Sequence, residues 1–554
     1  MSLPIVTLLQ RVALFLGCTV AAIAASTSFE ADATQRFHEL TKGDVPGFAV
    51  LVARNGQVVF QGGFGLANIE AKVPIQPATK FRIGSISKQF TAAAVLRLSE
   101  QGKLSLSDTL ATYFPDFPNG REITIRHLLT HTSGLHSYTE KPEFYGRVTN
   151  AITSSQLLAW FHDDPPDFKP GNGFHYSNSG YFVLGEIVSK VSGKSLGDYL
   201  KDSFFDPLGM KDTGIYTNSA PPPGMAQGYE FNSGKYEAAL DWDMSWAGGA
   251  GALYSTVGDL FLWNEALFGG RVLNADSFQA ATTPVSLPPN VGGMSYGYGL
   301  VMSTVKGLPV VSHSGGLDGW TSDLLRVTDQ KCTVVVLANY LTNRAGSAPV
   351  EISHKLVEQL LADEIKKLPP PKEDSLANPK RFKDYVGRYD YQTAIMTVTI
   401  EGDALFAQLT GQEKFRIFPK ARDEFFWKVT DAQVVFLRDD KGQVSAARHT
   451  QNGNSFRAPK LAADTVRLST EALDAFVGQY QYGPMSILTV TRDGNQLLAQ
   501  LTGQSAIPIF PTSNTEFEWR VVSANVRFVK GANGKVIKAV HTQGGASFEA
   551  PKIP

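Results

Sequence analysis

A duplication in the last third of the chain constrains the fold more than any other feature of the sequence. The hexapeptide AQLTGQ occurs at 407–412 and again at 499–504, a separation of 92 residues. The same separation relates three further pairs, Trp427 and Trp519, His449 and His541, and Pro459 and Pro551. Short alternating segments with Gly and Asp turns fill both copies, which is typical of antiparallel strands. We therefore predict two small all-β, barrel-like domains at 381–461 and 472–554, with the matched aromatic residues as shared core.

The region before the repeats has a different pattern. The segment GFAVLVARNGQVVFQGGFG predicts two strands joined by an Asn-Gly turn. A helix is predicted from Ser85 to about Gln101, and strand patterns return in YGYGLVMSTV, LPVVSHSGG and CTVVVLANY. Because strands lie at both ends of this region, we predict one α/β domain over 26–365 whose terminal strands share a sheet. The stretch KKLPPPKEDSLANPK, residues 366–380, is rich in proline and charge and predicts a stiff linker.

The composition of the 554 residues narrows the function classes. Hydrophobic residues make up 43% of the chain, which excludes a disordered protein and supplies apolar material for a large core. The 51 Lys and Arg against 52 Asp and Glu give a formal net charge of -1. No overall positive field therefore exists to hold a nucleic acid or an anionic membrane. The two cysteines, Cys18 and Cys332, are too few for a disulfide framework or a cysteine-based zinc site.

The first 25 residues carry the pattern of a secretory signal. Arg11 supplies positive charge, residues 12–25 form an apolar run of 14, and small residues end it before Ser26. The run is shorter than the roughly 18 apolar residues that a membrane-spanning helix requires. We therefore expect residues 1–25 to be a signal peptide and the mature protein to be periplasmic or secreted. A lipoprotein attached through Cys18 and a buried N-terminal helix are the alternatives.

The pattern Ser-x-x-Lys is the first sign of chemistry. On a helix it places a hydroxyl and an amine one turn apart on one face, so the amine can accept the serine proton without a histidine. The pattern occurs twice, at Ser85/Lys88 and at Ser303/Lys306. The second pair lies in a strand pattern, where positions i and i+3 point to opposite faces. The first pair opens the predicted helix, at the positive end of its dipole, so Ser85 and Lys88 are the candidate catalytic pair.

The pattern Tyr-x-Asn also occurs twice. Tyr176 and Asn178 lie in a loop that feeds a predicted helix, whereas Tyr216 and Asn218 lie in a loop before a run of prolines. In the first case the phenol can relay a proton to a leaving group, and Asn178 can hydrogen-bond both Lys88 and a substrate carbonyl. The first copy is therefore the functional candidate.

Two glycine-rich stretches differ in what they can do. His313-Ser-Gly315-Gly316 ends a predicted strand, where glycines let a substrate approach the backbone and free an N–H group for an oxyanion hole. We include His313, Gly315 and Gly316 among the candidate substrate-binding residues. The other stretch, WAGGAGALYS, lacks the lysine of a phosphate-binding loop and predicts a tight packing loop.

These three motifs, in this order, resemble the serine β-lactamase and penicillin-binding-protein superfamily. The likeness is greatest to class C β-lactamases, D-alanyl-D-alanine carboxypeptidases, D-aminopeptidases and related esterases. Three accessory stretches are also similar to that family, HLLTHTSGL at 127–135, DPLGM at 206–210 and YSTVGDL at 254–260. The resemblance covers about residues 30 to 365. It implies a β-lactamase/transpeptidase-like fold, in which an antiparallel sheet is flanked by helices and joined by a helical subdomain.

The resemblance also implies roles for the site residues. Ser85 would be the nucleophile, Lys88 its activating base and Tyr176 the acid/base that faces the leaving group, with the N–H groups of Ser85 and Gly316 forming the oxyanion hole. His313 stands where the family's K-T-G motif has lysine, as in the peptidase and esterase branches, and this argues against efficient β-lactam hydrolysis. The mechanism needs a neutral Lys88, whose ordinary pKa is about 10.4. A Tyr176 phenolate is the alternative candidate for the base.

The sequence thus predicts an exported serine hydrolase that cleaves amide bonds of small linear peptides through an acyl-enzyme. The expected substrates contain D- or unusual residues: cell-wall fragments, D-amino-acid peptides, or linear non-ribosomal peptides such as the linearised microcystin that family members cleave. An esterase or a β-lactamase on the same site is one alternative, and a penicillin sensor without turnover is another. The sequence leaves open whether the scissile bond is an amide or an ester, whether the preferred residue is D or L, and whether cleavage occurs at the amino or the carboxyl end.

The predicted binding partner is this small peptide or ester, with no cofactor, nucleic acid or membrane span, and the sequence leaves the oligomeric state open. Three histidines close in sequence, His127, His131 and His136, raise the question of a metal site. The first two have helical spacing, but no Glu lies between them as in the pattern H-E-x-x-H. The family resemblance makes this stretch a structural turn at a helix end, so no metal is expected.

Overall fold

The computed structural model describes residues 28–553, apart from positions 233, 289–292, 342–345, 369–372, 375–377, 392–393, 411, 452–453, 462–467, 484–485, 495, 503–505, 520–523, 532 and 544–545. The predicted signal peptide and Cys18 lie outside the described residues. The chain divides near residue 370 into two compact units, and the second unit holds both repeats. In the part of the chain that is described, no helix has the length and apolar character that crossing a bilayer would require.

An antiparallel sheet of six strands forms the centre of the first unit. In spatial order the strands are Val301–Val305, Leu308–Leu317, Trp320–Val327, Cys332–Ala338, Phe48–Arg54 and Gln57–Phe64. The first strand in sequence therefore pairs with the last, with Phe48 opposite Ala338 and Arg54 opposite Cys332. The prediction that both ends of the α/β domain share one sheet is confirmed.

The sheet separates two hydrophobic cores. Alternate residues of one central strand enter the two cores, Ala49, Leu51 and Ala53 on one face and Phe48, Val50 and Val52 on the other. This alternation follows from the two-residue period of a strand. The smaller core is closed by the helix at 28–40 and by the helix Pro349–Leu360, which continues as Ala362–Lys367. Because helices cover both faces, the central strands are mostly apolar, although Asp323, Arg326 and Thr333 are buried in them.

The larger core is built by the helical region between the two parts of the sheet. Its helices are Ser87–Glu100, Leu110–Tyr113, Ile125–Leu129, Ser154–Phe161, Asn178–Ser192, Leu196–Leu200, Asp206–Leu208, Gly248–Gly251, Val257–Phe268 and Ala275–Ala281, with a π-helical turn at Lys201–Phe205 and 3₁₀ turns at Gly84–Ile86, Tyr138–Glu140 and Met244–Trp246. Its short strands are Leu66–Asn68, Val73–Pro74, Phe81–Arg82, Gly214–Ile215, Tyr229–Asn232, Lys235–Ala238, Leu253–Ser255, Gly293–Met294 and Tyr340–Leu341. We call Ser87–Glu100 the central helix, because 11 of its 14 residues are buried.

The second unit contains the two all-β repeats that the duplication predicts. A 3₁₀ turn, Pro379–Asp384, precedes the first repeat, whose strands are Gly387–Asp390, Ile395–Glu401, Ala404–Leu409, Lys414–Ala421, Glu424–Trp427, Ala432–Arg438, Val444–Gln451 and Asn454–Pro459. A helix, Thr470–Asp474, precedes the second repeat, whose strands are Gly478–Gly483, Ser486–Asp493, Gln496–Leu501, Ile507–Pro511, Glu516–Trp519, Ala524–Lys530, Val536–Gln543 and Ala546–Ile553. The second repeat is a closed barrel, in which Tyr480 pairs with Lys552. The matching bridge in the first repeat joins Tyr389 to Lys460.

The duplication extends to individual hydrogen bonds. The Tyr389 hydroxyl donates to the Tyr385 carbonyl at 2.6 Å, and the Tyr480 hydroxyl donates to the Phe476 carbonyl at 2.7 Å. The matched residues Trp427 and Trp519 are partly buried against the cores of their own repeats. The repeated positions therefore lie in equivalent places of two similar β repeats, of which the second is a closed barrel.

Candidate active site

Ser85 and Lys88 meet at the start of the central helix. The 3₁₀ turn that contains Ser85 runs directly into this helix, so residues three apart stay on one face. The distance between Lys88 Nζ and Ser85 Oγ is 2.9 Å. Ser85 is half-buried, whereas Lys88 is completely buried. The pair has the geometry of a hydroxyl nucleophile and its base.

The surroundings of Lys88 favour its neutral form. Its Nζ donates hydrogen bonds to Asn178 Oδ1 and to the Ala250 carbonyl, each at 2.8 Å. Both partners are neutral acceptors, and burial holds the pKa of Lys88 well below its ordinary range. A neutral amine that donates to two carbonyl oxygens keeps its lone pair for a third direction. That direction is occupied by Ser85, whose proton Lys88 can accept.

Tyr176 completes the site from a distant segment. Ser177 caps the helix Asn178–Ser192 through the Gly180 N–H, which fixes the backbone beside Tyr176. The Tyr176 ring lies 4.8 Å from Lys88 Nζ. Burial raises the pKa of the Tyr176 phenol above its ordinary value, although a hydrogen bond with Ser85 acts in the opposite direction. A phenol that stays protonated can donate to a leaving group, so the geometry favours Lys88 as the base over a Tyr176 phenolate.

The backbone at Gly84 and Gly316 forms the other wall of the site. Gly84 has φ +51°, and a Cβ atom there would lie 2.9 Å from the Gly316 nitrogen. Only glycine allows this approach, which brings the Gly316 backbone beside Ser85. A Cβ atom at Gly316 would meet nothing within 4 Å, so this side of the strand is open to a substrate. Gly315 faces inward instead, because a Cβ atom there would collide with the Ile83 carbonyl.

His313 lies behind the site rather than in its wall. Its Nδ1–H donates to the Ser314 carbonyl at 2.6 Å, and its Nε2 accepts from the Tyr296 hydroxyl at 2.9 Å. Burial and the nearby Lys88 lower the pKa of His313 to about 3, so the ring is neutral. Both ring nitrogens are thus occupied by protein groups. The His313 ring packs 6.2 Å from the Tyr176 ring, and its partner Tyr296 packs 6.1 Å from the same ring, so both can help to position Tyr176.

His131 also packs against Tyr176, although its sequence motif predicted only a turn. Its backbone has φ +58°, and its Nδ1 accepts from the Ser177 N–H at 3.0 Å. Its buried ring packs 4.3 Å from the Tyr176 ring. His127 lies elsewhere, since its Nδ1 accepts from the Thr124 N–H at the start of a short helix. The sequence offered one signal for this role, the unusual density of aromatic residues and histidines around Tyr176.

The two rejected motif copies have other surroundings. Ser303 lies on an outer strand of the sheet, and the Lys306 side chain is exposed, 4.0 Å from Glu358. The Tyr216 ring covers the Arg82 guanidinium at 4.0 Å, and Asn218 Nδ2 donates to the Trp242 carbonyl at 2.9 Å. Neither copy pairs a hydroxyl with a buried amine.

The rejected copies provide a test of the motif choice. Ser303→Ala and Tyr216→Phe are expected to lower kcat/KM less than about threefold, because neither side chain faces the Lys88 amine, whereas Tyr176→Phe should lower it at least about a hundredfold. The measurement is steady-state hydrolysis of one chromogenic amide by all three variants. Similar losses at Tyr216 and Tyr176 would contradict the assignment.

A cavity of about 200 Å³ opens beside Ser85. Its lining combines Ser85 with a wall of four aromatic side chains, and none of the described lining residues is charged. The lining residues are Gly84, Ser85, Tyr138, Thr139, Phe144, Tyr145, Asn178, Trp242, Ala247, Ala250, Gly251, Gly316 and Leu317. Thr139 Oγ1 accepts from Asn178 Nδ2 at 3.0 Å, which orients Asn178 Oδ1 toward Lys88. The cavity therefore gives a small substrate access to Ser85, Asn178 and the Gly316 backbone, with Lys88 and Tyr176 next to this lining.

Comparison with known proteins agrees with this geometry. The family described as Beta-lactamase matches residues 31–356, and a domain of unknown function, DUF3471, matches residues 371–458. Penicillin-binding protein 4* of Bacillus subtilis (strain 168) is 30% identical over 419 residues, which are 70% of this chain and 89% of the relative.

Two solved structures show the same likeness for the first unit. The D-amino acid amidase from Ochrobactrum anthropi SV3 has a TM-score of 0.52 and 25% identity, over 62% of this chain and 98% of that one. The D-stereospecific amidohydrolase from Streptomyces sp. has a TM-score of 0.50 and 28% identity, over 60% of this chain and 98% of that one. The chain therefore belongs to the Beta-lactamase family of serine hydrolases, within the serine β-lactamase and penicillin-binding-protein superfamily.

Proposed function

We propose that this serine hydrolase is exported and cleaves amide bonds of small linear peptides or amino-acid amides that contain D- or unusual residues. The observation that carries the proposal is the Ser85–Lys88–Tyr176 site beside an aromatic cavity without charged lining residues. Ser85 attacks the carbonyl carbon while its proton passes to Lys88, and the carbonyl oxygen is held by the N–H groups of Ser85 and Gly316. Tyr176 then donates a proton to the departing amine and regains one from Lys88. Water next attacks the acyl-enzyme and gives a proton to Lys88, which returns it to Ser85 as the acid leaves.

The cavity supports a small, hydrophobic substrate. Its volume of about 200 Å³ is below the roughly 300–1,000 Å³ of pockets that enclose drug-sized ligands. The rings of Phe144 and Trp242 lie edge to face at 4.9 Å, and Tyr145, which is 59% exposed, extends this wall into solvent. Aromatic surface of this kind favours a hydrophobic or aromatic side chain of the substrate.

The charges near the aromatic wall favour a substrate with a free amino group. Burial raises the pKa of Tyr145, and the carboxylates of Asp318 and Glu230 raise it further. Asp318 also accepts a hydrogen bond from Trp242 Nε1 at 2.9 Å. A negative potential at this wall attracts an ammonium group and repels a carboxylate, so we infer cleavage at the amino-terminal residue. The D-amino acid amidase likeness supports the same substrate class.

A panel of chromogenic substrates tests the proposal. We expect turnover of the p-nitroanilide of D-phenylalanine, with the L enantiomer, the N-acetylated D form, a p-nitrophenyl ester and nitrocefin all slower in kcat/KM. A clear preference for the L enantiomer would contradict the stereochemistry, and a much faster ester would favour the esterase alternative. A stoichiometric burst with penicillin and no amide turnover would instead indicate a sensor.

Asp318→Asn tests the role of the negative potential. The amide keeps an acceptor for Trp242 Nε1 but removes the charge, and one charge near a partly exposed cavity contributes about 1 kcal/mol. The preference for the free amine over the N-acetylated substrate should therefore fall about fivefold. Asp318 precedes the strand Trp320–Val327, and Asp329 lies in the turn that follows it. Asp329→Asn is therefore the matched control, and it should leave the preference for the free amine unchanged. An unchanged ratio in Asp318→Asn would refute the proposed amine recognition.

A further inference from the structure

Four side chains form a cluster that the hydrolase chemistry does not use. His136, Glu140 and His175 each offer one ligand atom, and these atoms all lie within 4.8 Å of one another. Asp167 contacts both histidines. The side chains are 22–47% exposed, so solutes reach them while the backbone around them is ordered by the fold.

Asp167 fixes the protonation of both rings. Its Oδ1 lies 2.8 Å from His136 Nδ1, and its Oδ2 contacts His175 Nδ1. An ionised carboxylate only accepts, so each Nδ1 carries the hydrogen and donates it. In a neutral ring the lone pair then lies on Nε2. Carboxylates commonly orient metal-binding histidines in this way, through the ring nitrogen that does not bind the metal.

Glu140 faces the nitrogen that this arrangement leaves free. The distance between His175 Nε2 and Glu140 Oε1 is 3.0 Å. Without an ion, a protonated His175 donates from Nδ1 to Asp167 and from Nε2 to Glu140. A zinc ion would take the place of the proton on Nε2 and would bind Glu140 beside it. Two imidazoles and two carboxylates together carry a formal charge that a divalent ion balances.

We propose that His136, Glu140 and His175 bind a zinc ion, with Asp167 orienting the two imidazoles. Imidazole nitrogen and carboxylate oxygen are ligands that zinc prefers, and water supplies the fourth position. Tetrahedral bonds of about 2.0–2.2 Å place ligand atoms about 3.3 Å apart. The present separations reach up to 4.8 Å, so the partly exposed side chains would have to rotate toward one another on binding.

The bound ion would link two segments that build the active site. Glu140 ends the 3₁₀ turn whose Thr139 holds Asn178, and His175 directly precedes Tyr176. Zinc would therefore stabilise the folded arrangement around Tyr176, because a ligand that binds only the native state raises the unfolding temperature. The ion takes no part in the hydrolysis itself.

The test uses the full-length, untagged protein after treatment with a chelator. Calorimetric titration with zinc near neutral pH should show one ion per chain and a higher Tm, and cobalt should give the visible absorption of a tetrahedral site. His136→Ala and Glu140→Gln should each weaken zinc binding at least about tenfold. The second variant is conservative and keeps the binding test independent of a folding defect in the first.

His162→Ala is the matched control, since His162 is also a partly exposed histidine paired with a carboxylate, at 2.6 Å from Asp163. It should bind zinc like the unmodified protein. Absence of zinc binding at micromolar concentrations would overturn the proposal. Equal binding by the two cluster variants and the control would overturn it as well, because the ion would then lie elsewhere.

Discussion

Ser85→Ala is expected to lower kcat/KM for the D-phenylalanine anilide at least about a thousandfold, because Ser85 carries the hydroxyl that Lys88 contacts and that would form the acyl-enzyme. The fold should be little affected. The hydroxyl is half-buried and its polar contacts are with Lys88 and Tyr176, so its loss should shift Tm by no more than about 4 °C. Steady-state kinetics and thermal unfolding of the same preparation measure both effects.

The covalent intermediate gives this prediction a second readout. Mass spectrometry after incubation with a fluorophosphonate or with penicillin should show one adduct, on the peptide that contains Ser85. Ser303→Ala, the variant of the other Ser-x-x-Lys motif, should form the same adduct as the unmodified protein. An adduct on another serine, or unimpaired turnover by Ser85→Ala, would remove Ser85 as the nucleophile.

The sequence predicts those parts of the site that depend on local geometry. Ser85 and Lys88 are three residues apart on one helix, so their spacing alone brings the two groups together. Gly315 and Gly316 can also be predicted locally, because glycines at the end of a strand allow a substrate to approach the backbone. The duplication likewise predicts two β domains, since equal patterns at equal spacing fold in the same way.

The functions of His131 and His313 depend on packing between distant segments. His131 holds Ser177 and touches Tyr176, and His313 hydrogen-bonds Tyr296 and packs 6.2 Å from the Tyr176 ring. These contacts join residues that are far apart in the sequence. A local sequence pattern can therefore mark such a residue but cannot show which residues it contacts. His313 was expected in the substrate-binding wall, whereas the structure places it one layer behind. The fully buried Lys88 is a similar case, because burial is a property of the whole core.

Burial of Lys88 also leads to the second large prediction. Lys88→Met keeps the length of the side chain but removes the base, and it should lower kcat/KM at least about a hundredfold. In the unmodified enzyme kcat/KM should fall as the pH drops through the pKa of Lys88, because the protonated amine has no lone pair for the Ser85 proton. A pH profile of kcat/KM measures this limb, which the residual activity of Lys88→Met should lack.

The unfolding free energies of the unmodified protein and of Lys88→Met should depend differently on pH. The pKa of Lys88 is lower in the folded protein than in the unfolded chain, so between these two values the unfolded state binds one more proton. Unfolding free energy then rises with pH, by up to about 1.4 kcal/mol per unit, until the ordinary lysine pKa of about 10.4 is reached. Lys88→Met lacks this contribution, whereas the exposed control Lys306→Met keeps it.

Denaturant unfolding of the unmodified protein, Lys88→Met and Lys306→Met at several pH values between neutral and 10 measures the slopes of unfolding free energy against pH. Parallel curves for the unmodified protein and Lys88→Met would mean that the buried amine stays protonated, and the proposed role of Lys88 as the base would fail.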